Sequence, residues 1–257
     1  MRNFVAFLLG VVTAVSYGSP SLAAPILWYN GEPDYSYSFL ISINHNEYYS
    51  SSIDLQIYDN FTVPSGQTWT IQELFARHRF MTGVNLTNLT HAEWEIRSGL
   101  SSGNPGTLIA SGITPVTVTH YGTLIPAVYS DYLLEVGGLN VVLGSGTYWM
   151  SLRPITTNMG GPLMSYLART FGVNAIGSPS GNDGNSFLSE VPFYYFTPYS
   201  EISSVEVWDF SMGIRGLQSE ATPEPASLAV FTLLAVGAYG LRRRQRAGAS
   251  NTRLADE

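Results

Sequence analysis

Residues 91–97 read His91-Ala92-Glu93-Trp94-Glu95-Ile96-Arg97. Successive side chains of an extended chain point to opposite faces, so Ala92, Trp94 and Ile96 fall on one side and His91, Glu93, Glu95 and Arg97 on the other. A strand here has one apolar and one charged face, the pattern of an antiparallel sheet that covers a core from one side. The same period recurs along the chain. Ile53, Leu55 and Ile57 alternate with Asp54, Gln56 and Tyr58, while Tyr148, Met150 and Leu152 are opposed by Thr147, Trp149, Ser151 and Arg153. Trp208, Phe210, Met212 and Ile214 form the apolar side of a series that begins at Glu206. Further strand-like pieces cover 36–43, 69–80, 114–119, 132–136 and 139–143, and no long stretch has helical period.

Turn chemistry falls between these runs. Pro64-Ser65-Gly66, Ser101-Ser102-Gly103-Asn104-Pro105-Gly106, Gly137-Gly138 and Gly144-Ser145-Gly146 supply the residues that tight turns need. Many short strands separated in this way predict an all-β fold: a single antiparallel β-sandwich over residues 24–216, with a jelly roll as the natural closure. The polar stretch 178–185 reads as a long loop inside that domain and not as a linker.

Composition narrows the function. Only 12% of the 257 residues are charged, 13% are aromatic and 25 are glycine, which suits a β-rich exported domain and not a disordered one. Every cationic side chain is arginine, and between residues 25 and 219 there are six arginines against fifteen carboxylates. Such a body repels phosphate backbones, so nucleic acid is not an expected partner. With no cysteine, disulfide frameworks, thiol catalysis and cysteine-ligated metals are excluded.

Both ends read as address labels. Met1-Arg2-Asn3 precedes an apolar run from Phe4 to Val15, and Ser21 and Ala23 occupy the −3 and −1 positions of a cleavage site, so residues 1–23 are predicted to be a secretory signal peptide. At the other end a linker, 217–225, carries Pro223-Glu224-Pro225. Residues 226–241 follow without a charge, and 242–257 form a tail opened by Arg242, Arg243, Arg244 and Arg246. As a helix, 226–241 reaches roughly 24 Å, a little short of the ~30 Å hydrocarbon core, and snorkelling arginines can cover the difference. Arginines after the span place the tail in the cytoplasm and the body outside.

The segment 222–246 resembles the PEP-CTERM sorting signal of Gram-negative bacteria, in which a Pro-Glu-Pro motif, a short transmembrane stretch and a basic cluster follow one another. The eleven residues after Arg246 make a longer tail than that pattern usually has. The resemblance implies an inner-membrane intermediate, processing near Pro223-Glu224-Pro225 by an exosortase, and release to the cell surface or matrix. It also implies a structural or adhesive role beside extracellular polysaccharide in biofilm or floc. More loosely, Asp59-Asn60-Phe61-Thr62-Val63-Pro64, Asn104-Pro105-Gly106-Thr107-Leu108-Ile109-Ala110 and Gly146-Thr147-Tyr148-Trp149-Met150-Ser151 look like the jelly-roll modules of exported proteins bearing this signal.

Chemistry is sparse. Gly99-Leu100-Ser101-Ser102-Gly103 matches a nucleophile elbow, but Asn104-Pro105-Gly106 continues the loop where an elbow needs a helix. His91, Glu93 and Glu95 share a strand face with Cβ atoms roughly 7 Å apart, read here as a solvated face paired with Arg97 and with Arg77 or Arg79. His45, His78 and His120 stand alone, and no zinc-hydrolase spacing exists. No catalytic residue and no cofactor is therefore assigned. Asn182-Asp183-Gly184-Asn185 has the oxygen-rich, glycine-bent character of a calcium loop but lacks EF-hand spacing, so calcium there needs carboxylates from elsewhere. Tyr194, Tyr195 and Tyr199 are the candidates for stacking on sugar rings, which makes a carbohydrate-binding module the alternative function. A secreted glycan or ester hydrolase, or an ice-binding protein, has still less in its favour: the first lacks converging catalytic groups and the second a regular threonine face.

Overall fold

The computed structural model describes residues 24–34, 54–124, 129–155, 165–179, 183–191, 194–202 and 209–220. In chain order the strands are β1 (Ile26–Tyr29), β2 (Asp54–Val63), β3 (Gln67–Met81), β4 (His91–Ser98), β5 (Thr107–Pro115), β6 (Thr117–Leu124) and β7 (Tyr129–Leu143). They continue with β8 (Gly146–Pro154), β9 (Ser165–Leu167), β10 (Arg169–Thr170), β11 (Phe187–Val191), β12 (Tyr194–Pro198), β13 (Asp209–Phe210) and β14 (Met212–Glu220). A 3-10 turn at Leu86–Asn88 and a one-turn helix at Tyr199–Ile202 complete the described elements. One six-stranded sheet runs β1-β14-β3-β7-β6, with β9 pairing the far end of β3. The other runs β12-β11-β2-β8-β4-β5, and β10 and β13 form a separate ladder. All the pairings are antiparallel, as the alternation predicts.

The apolar series meet in one core between the two large sheets. Leu55, Ile57, Phe61 and Val63 of β2, Ala92, Trp94 and Ile96 of β4, and Met150 and Leu152 of β8 come from one side. Trp69, Ile71 and Leu74 of β3 and Met212 and Ile214 of β14 come from the other. Trp28 is fully buried, 5.7 Å from the Phe61 ring, which stacks on Trp69 at 6.1 Å. Each such side chain contributes about 1.5–3 kcal/mol by leaving water, so this sequence period is the main reason the sheets stay together.

Several boundaries differ from the sequence reading. Gly137-Gly138 is not a turn: β7 runs through it, and the ladder to β3 shifts register between Ile71 and Glu73 to absorb the extra residues. Gly138 has φ +74, which lets the strand bulge without steric cost. The piece 114–119 is two strands in different sheets. Pro115 has no N–H for a ladder, and at Val116 the chain crosses over, its N–H donating to the Thr90 carbonyl at 3.0 Å. β14 extends to Glu220, where Leu217 to Glu220 pair with Thr70 to Gln67, so these residues are strand and not linker.

β11 pairs β2 only as far as Tyr58, opposite Phe187. Beyond that point the edge of β2 is taken over by the chain before β11, with the Thr62 N–H donating to the Ser178 carbonyl at 2.7 Å. This change of partner brings residues 183–185 over Asp59 and Asn60. The expected signal peptide, the strand at 36–43, Trp208, the sorting motif, the span 226–241 and the basic tail lie outside the described residues. Among the described residues no helix is long and apolar enough to cross a membrane.

Candidate functional site

The outer face of the second sheet carries the charged side of β4. Glu93 accepts from Arg153 on β8, Nε to Oε2 at 2.9 Å, and Glu95 accepts from Arg97 at 2.7 Å. Arg97 was the expected partner; Arg153 takes the other place. Arg77 and Arg79 lie on β3 in the opposite sheet, where Arg77 binds Asp131 and Arg79 donates to the Asp34 carbonyl at 2.7 Å. His91 turns to Thr90, at 2.9 Å, and does not join the carboxylates.

This face is only partly open. Phe196 of β12, with φ +46, lies 5.5 Å from the Tyr58 ring and 5.2 Å from the Arg97 guanidinium. Together with Leu100, Trp149 and Phe187 it makes a second small apolar cluster. Trp149 is buried in that cluster, and Ser151 and Arg153 are buried too, although period two places all three on the outward side of β8. The Tyr58 hydroxyl lies 2.6 Å from Gln56 Oε1 and 2.8 Å from Glu95 Oε2. Burial, followed by the Glu95 charge, pushes this phenol far above its ordinary range, so it stays protonated.

The serine motif is the turn between β4 and β5. Ser101 and Asn104 bridge each other, and Gly103 donates to the Phe196 carbonyl at 3.1 Å. A different Ser-His pair, not visible in the sequence, occurs deep in the fold. His78 Nδ1 is 3.4 Å from Ser165 Oγ and Nε2 is 3.3 Å from the Leu152 carbonyl. Both residues are fully buried, and desolvation lowers His78 to about 4, so it is a neutral structural imidazole out of reach of substrate.

The three candidate tyrosines do not make one platform. Tyr195 is 53% exposed and meets Phe196 edge-on at 5.0 Å. Tyr199 is 1% exposed, edge-on to Phe210 at 5.3 Å, and offers no face to solvent. The Tyr194 side chain lies outside the described residues.

The densest polar chemistry is where residues 183–185 cross the edge of β2. Asp59 occupies an inward position and is fully buried. Its Oδ2 accepts from the Phe210 N–H at 2.7 Å and from Asn30 Nδ2 at 2.8 Å, and its Oδ1 accepts from the Asn60 N–H at 2.9 Å. Asp209, also buried, accepts from the N–H groups of Asp183 at 2.5 Å and Gly184 at 3.1 Å. Asp183 accepts from Asn60 Nδ2 at 3.0 Å.

Desolvation and the Asp183 charge push Asp209 up to about 7, and desolvation with the Asp209 charge raises Asp59 well above the carboxylate range. As they stand, no three His, Asp or Glu side chains among the described residues converge on a common metal position. Sequence reasoning had Asp183 but missed Asp59 and Asp209. No protein-family model matches the chain, and a search of curated proteins finds no match.

Proposed function

We propose that this protein is an exported surface or matrix protein of a Gram-negative bacterium, held at the inner membrane by its C-terminal segment and then sorted by an exosortase. Its role is structural or adhesive, beside extracellular polysaccharide, and the β-sandwich is the delivered part. The observation that carries this reading is the ordered succession of Pro223-Glu224-Pro225, an uncharged sixteen-residue stretch, and Arg242, Arg243, Arg244 and Arg246.

Two features of the fold support it. β14 is paired up to Glu220, so only Ala221 and Thr222 separate the sheet from the motif, and the domain would stand about 10 Å from it at full extension. Among the described connections the chain crosses between the two large sheets at β2–β3, β3–β4, β5–β6 and β7–β8, connectivity that suits the jelly roll expected of such modules. An adhesive role has support at β5, the edge of the second sheet. There Leu108, Ile109 and Ile113 are 46%, 41% and 64% exposed, and an exposed apolar edge strand is a template for another chain. Sugar stacking is the weaker alternative, since Tyr199 is buried.

Intact-mass measurement on protein from the native host, with and without its exosortase, tests the sorting step. Loss of the residues after Pro225 only when the enzyme is present is expected; an identical full-length mass in both strains contradicts it.

A further inference from the structure

We propose that β5 is the contact by which two copies of this chain pair, antiparallel about a two-fold axis at Ser111, so that their second sheets join edge to edge into one continuous sheet. The inference rests on the reading of β5 as the adhesive edge and supplies its partner; it does not depend on how the protein is sorted.

The first observation is an open ladder. β5 ends the second sheet, with β4 as its one neighbour among the described strands. The Val116 N–H donates to the Thr90 carbonyl, and the register then sets Thr114 against Ala92, Gly112 against Trp94 and Ala110 against Ile96. Hydrogen-bonded pairs recur at every second residue, so the backbone groups of Ala110, Gly112 and Thr114 turn to β4 while those of Ser111 and Ile113 turn outward. On the other side of β4 the His91 carbonyl accepts from the Ile155 N–H, which fixes the same alternation.

This ladder is unbroken from Ala110 to Pro115. The strands that end the sheets elsewhere are short or irregular. β1 has four residues and a register shift, β6 shifts between His120 and Gly122, and β12 shifts against β11. Such features, with charged side chains, are what blunt an edge; β5 carries no charge and is regular along this stretch.

The second observation says what fits the edge. A two-fold antiparallel pairing sets residues equally far before and after the axis opposite each other, so it selects a strand that reads alike in both directions. Outward from Ser111, Ala110 and Gly112 are both small, and Ile109 and Ile113 follow. The pairing therefore lays Ile109 of each copy against Ile113 of the other. Both are exposed, and in an isologous contact each apolar pair occurs twice. Charge does not oppose the approach, although the body is acidic. On β4, beside this edge, Glu93 is held by Arg153 and Glu95 by Arg97.

The test exploits the lack of cysteine in the chain. Full-length protein in detergent, carrying Ser111→Cys or Thr107→Cys, is mildly oxidised. At the axis the two Cα atoms stand about 5.5 Å apart, which suits a disulfide, whereas position 107 lies roughly 27 Å from its own copy. Ser111→Cys is expected to give a linked dimer and Thr107→Cys to stay monomeric. Sedimentation of the wild type should show a reversible dimer whose dissociation constant Ile113→Lys raises roughly tenfold. A wild type that is monomeric at every concentration, a dimer that Ile113→Lys leaves unchanged, or equal cross-linking at both positions overturns the proposal. Retention of the protein on host matrix scores the adhesive reading separately. Retention lost in Ile113→Lys, with no Ser111→Cys dimer, keeps β5 adhesive toward another molecule and overturns self-pairing. Unchanged retention beside a Ser111→Cys dimer supports self-pairing and removes the adhesive reading.

Discussion

At the scale of single residues, His78 and Asp209 act on stability with opposite signs across the same pH window. His78 titrates near 4 in the fold against about 6.5 in an unfolded chain, so the stability it contributes is present above that range and lost as pH falls toward 4. Asp209 titrates near 7 in the fold against about 3.9 unfolded, so its contribution is present at acid pH and lost as pH rises to 7. Urea melts between those limits should show Asp209→Asn with a more positive slope of stability against pH than wild type, and His78→Gln with a more negative one. Parallel slopes for all three would refute both assignments. Asp131→Asn, which removes the nearer and buried carboxylate of Arg77 and leaves it Glu32 at 3.8 Å, should cost about 3 kcal/mol by chemical denaturation. A cost below about 1 kcal/mol would mean that the pair behaves like a surface bridge. The sequence half disclosed the carboxylate cluster. Asp59 shares the inward register of Leu55, Ile57, Phe61 and Val63, and a carboxylate in an apolar register is a misfit that period two alone reveals. Asp209, adjacent to Phe210, takes the opposite parity and looks solvated; its burial comes from residues 183–185, which no local pattern announces.

Elements were legible where one face is apolar and the other wet, as in β4, whose Ala92, Trp94 and Ile96 are buried as the alternation requires. They were less so where glycine or proline carries two meanings. Gly137-Gly138 reads as a turn and forms a bulge, because β3 pairs with β7 up to Gly137 and again from Val141 onward, which keeps the chain in the same sheet. Gly216 is similar, lying at the register shift between β14 and β3, where a Cβ would strike the Thr70 carbonyl. Gly216→Ala should therefore lower Tm by several degrees, whereas Gly144→Ala, where an added Cβ meets nothing, should leave it nearly unchanged. Equal effects would mean that the bulge relaxes freely. At the exposed edge, Ile113→Lys in β5 should weaken concentration-dependent self-association in sedimentation without changing Tm, since lysine blunts edge-to-edge pairing. Unaltered association would remove β5 as the adhesive edge.

For the molecule as a whole, the all-β class and the buried series followed from period two, but the distribution of strands between sheets did not. β2 and β3 are joined by a short turn yet lie in different sheets, because Leu55 to Val63 and Trp69 to Leu74 must face each other across the core. Turn length alone suggests a hairpin. The larger claim is that this acidic sandwich works outside the inner membrane, tethered through the chain that leaves β14. Epitope tags placed after Ala24 and after Glu257, probed on host spheroplasts before and after permeabilisation while the exosortase is absent, test it directly. The account predicts that the first tag is labelled on intact spheroplasts and the second only once they are opened; labelling of both only after permeabilisation would contradict it.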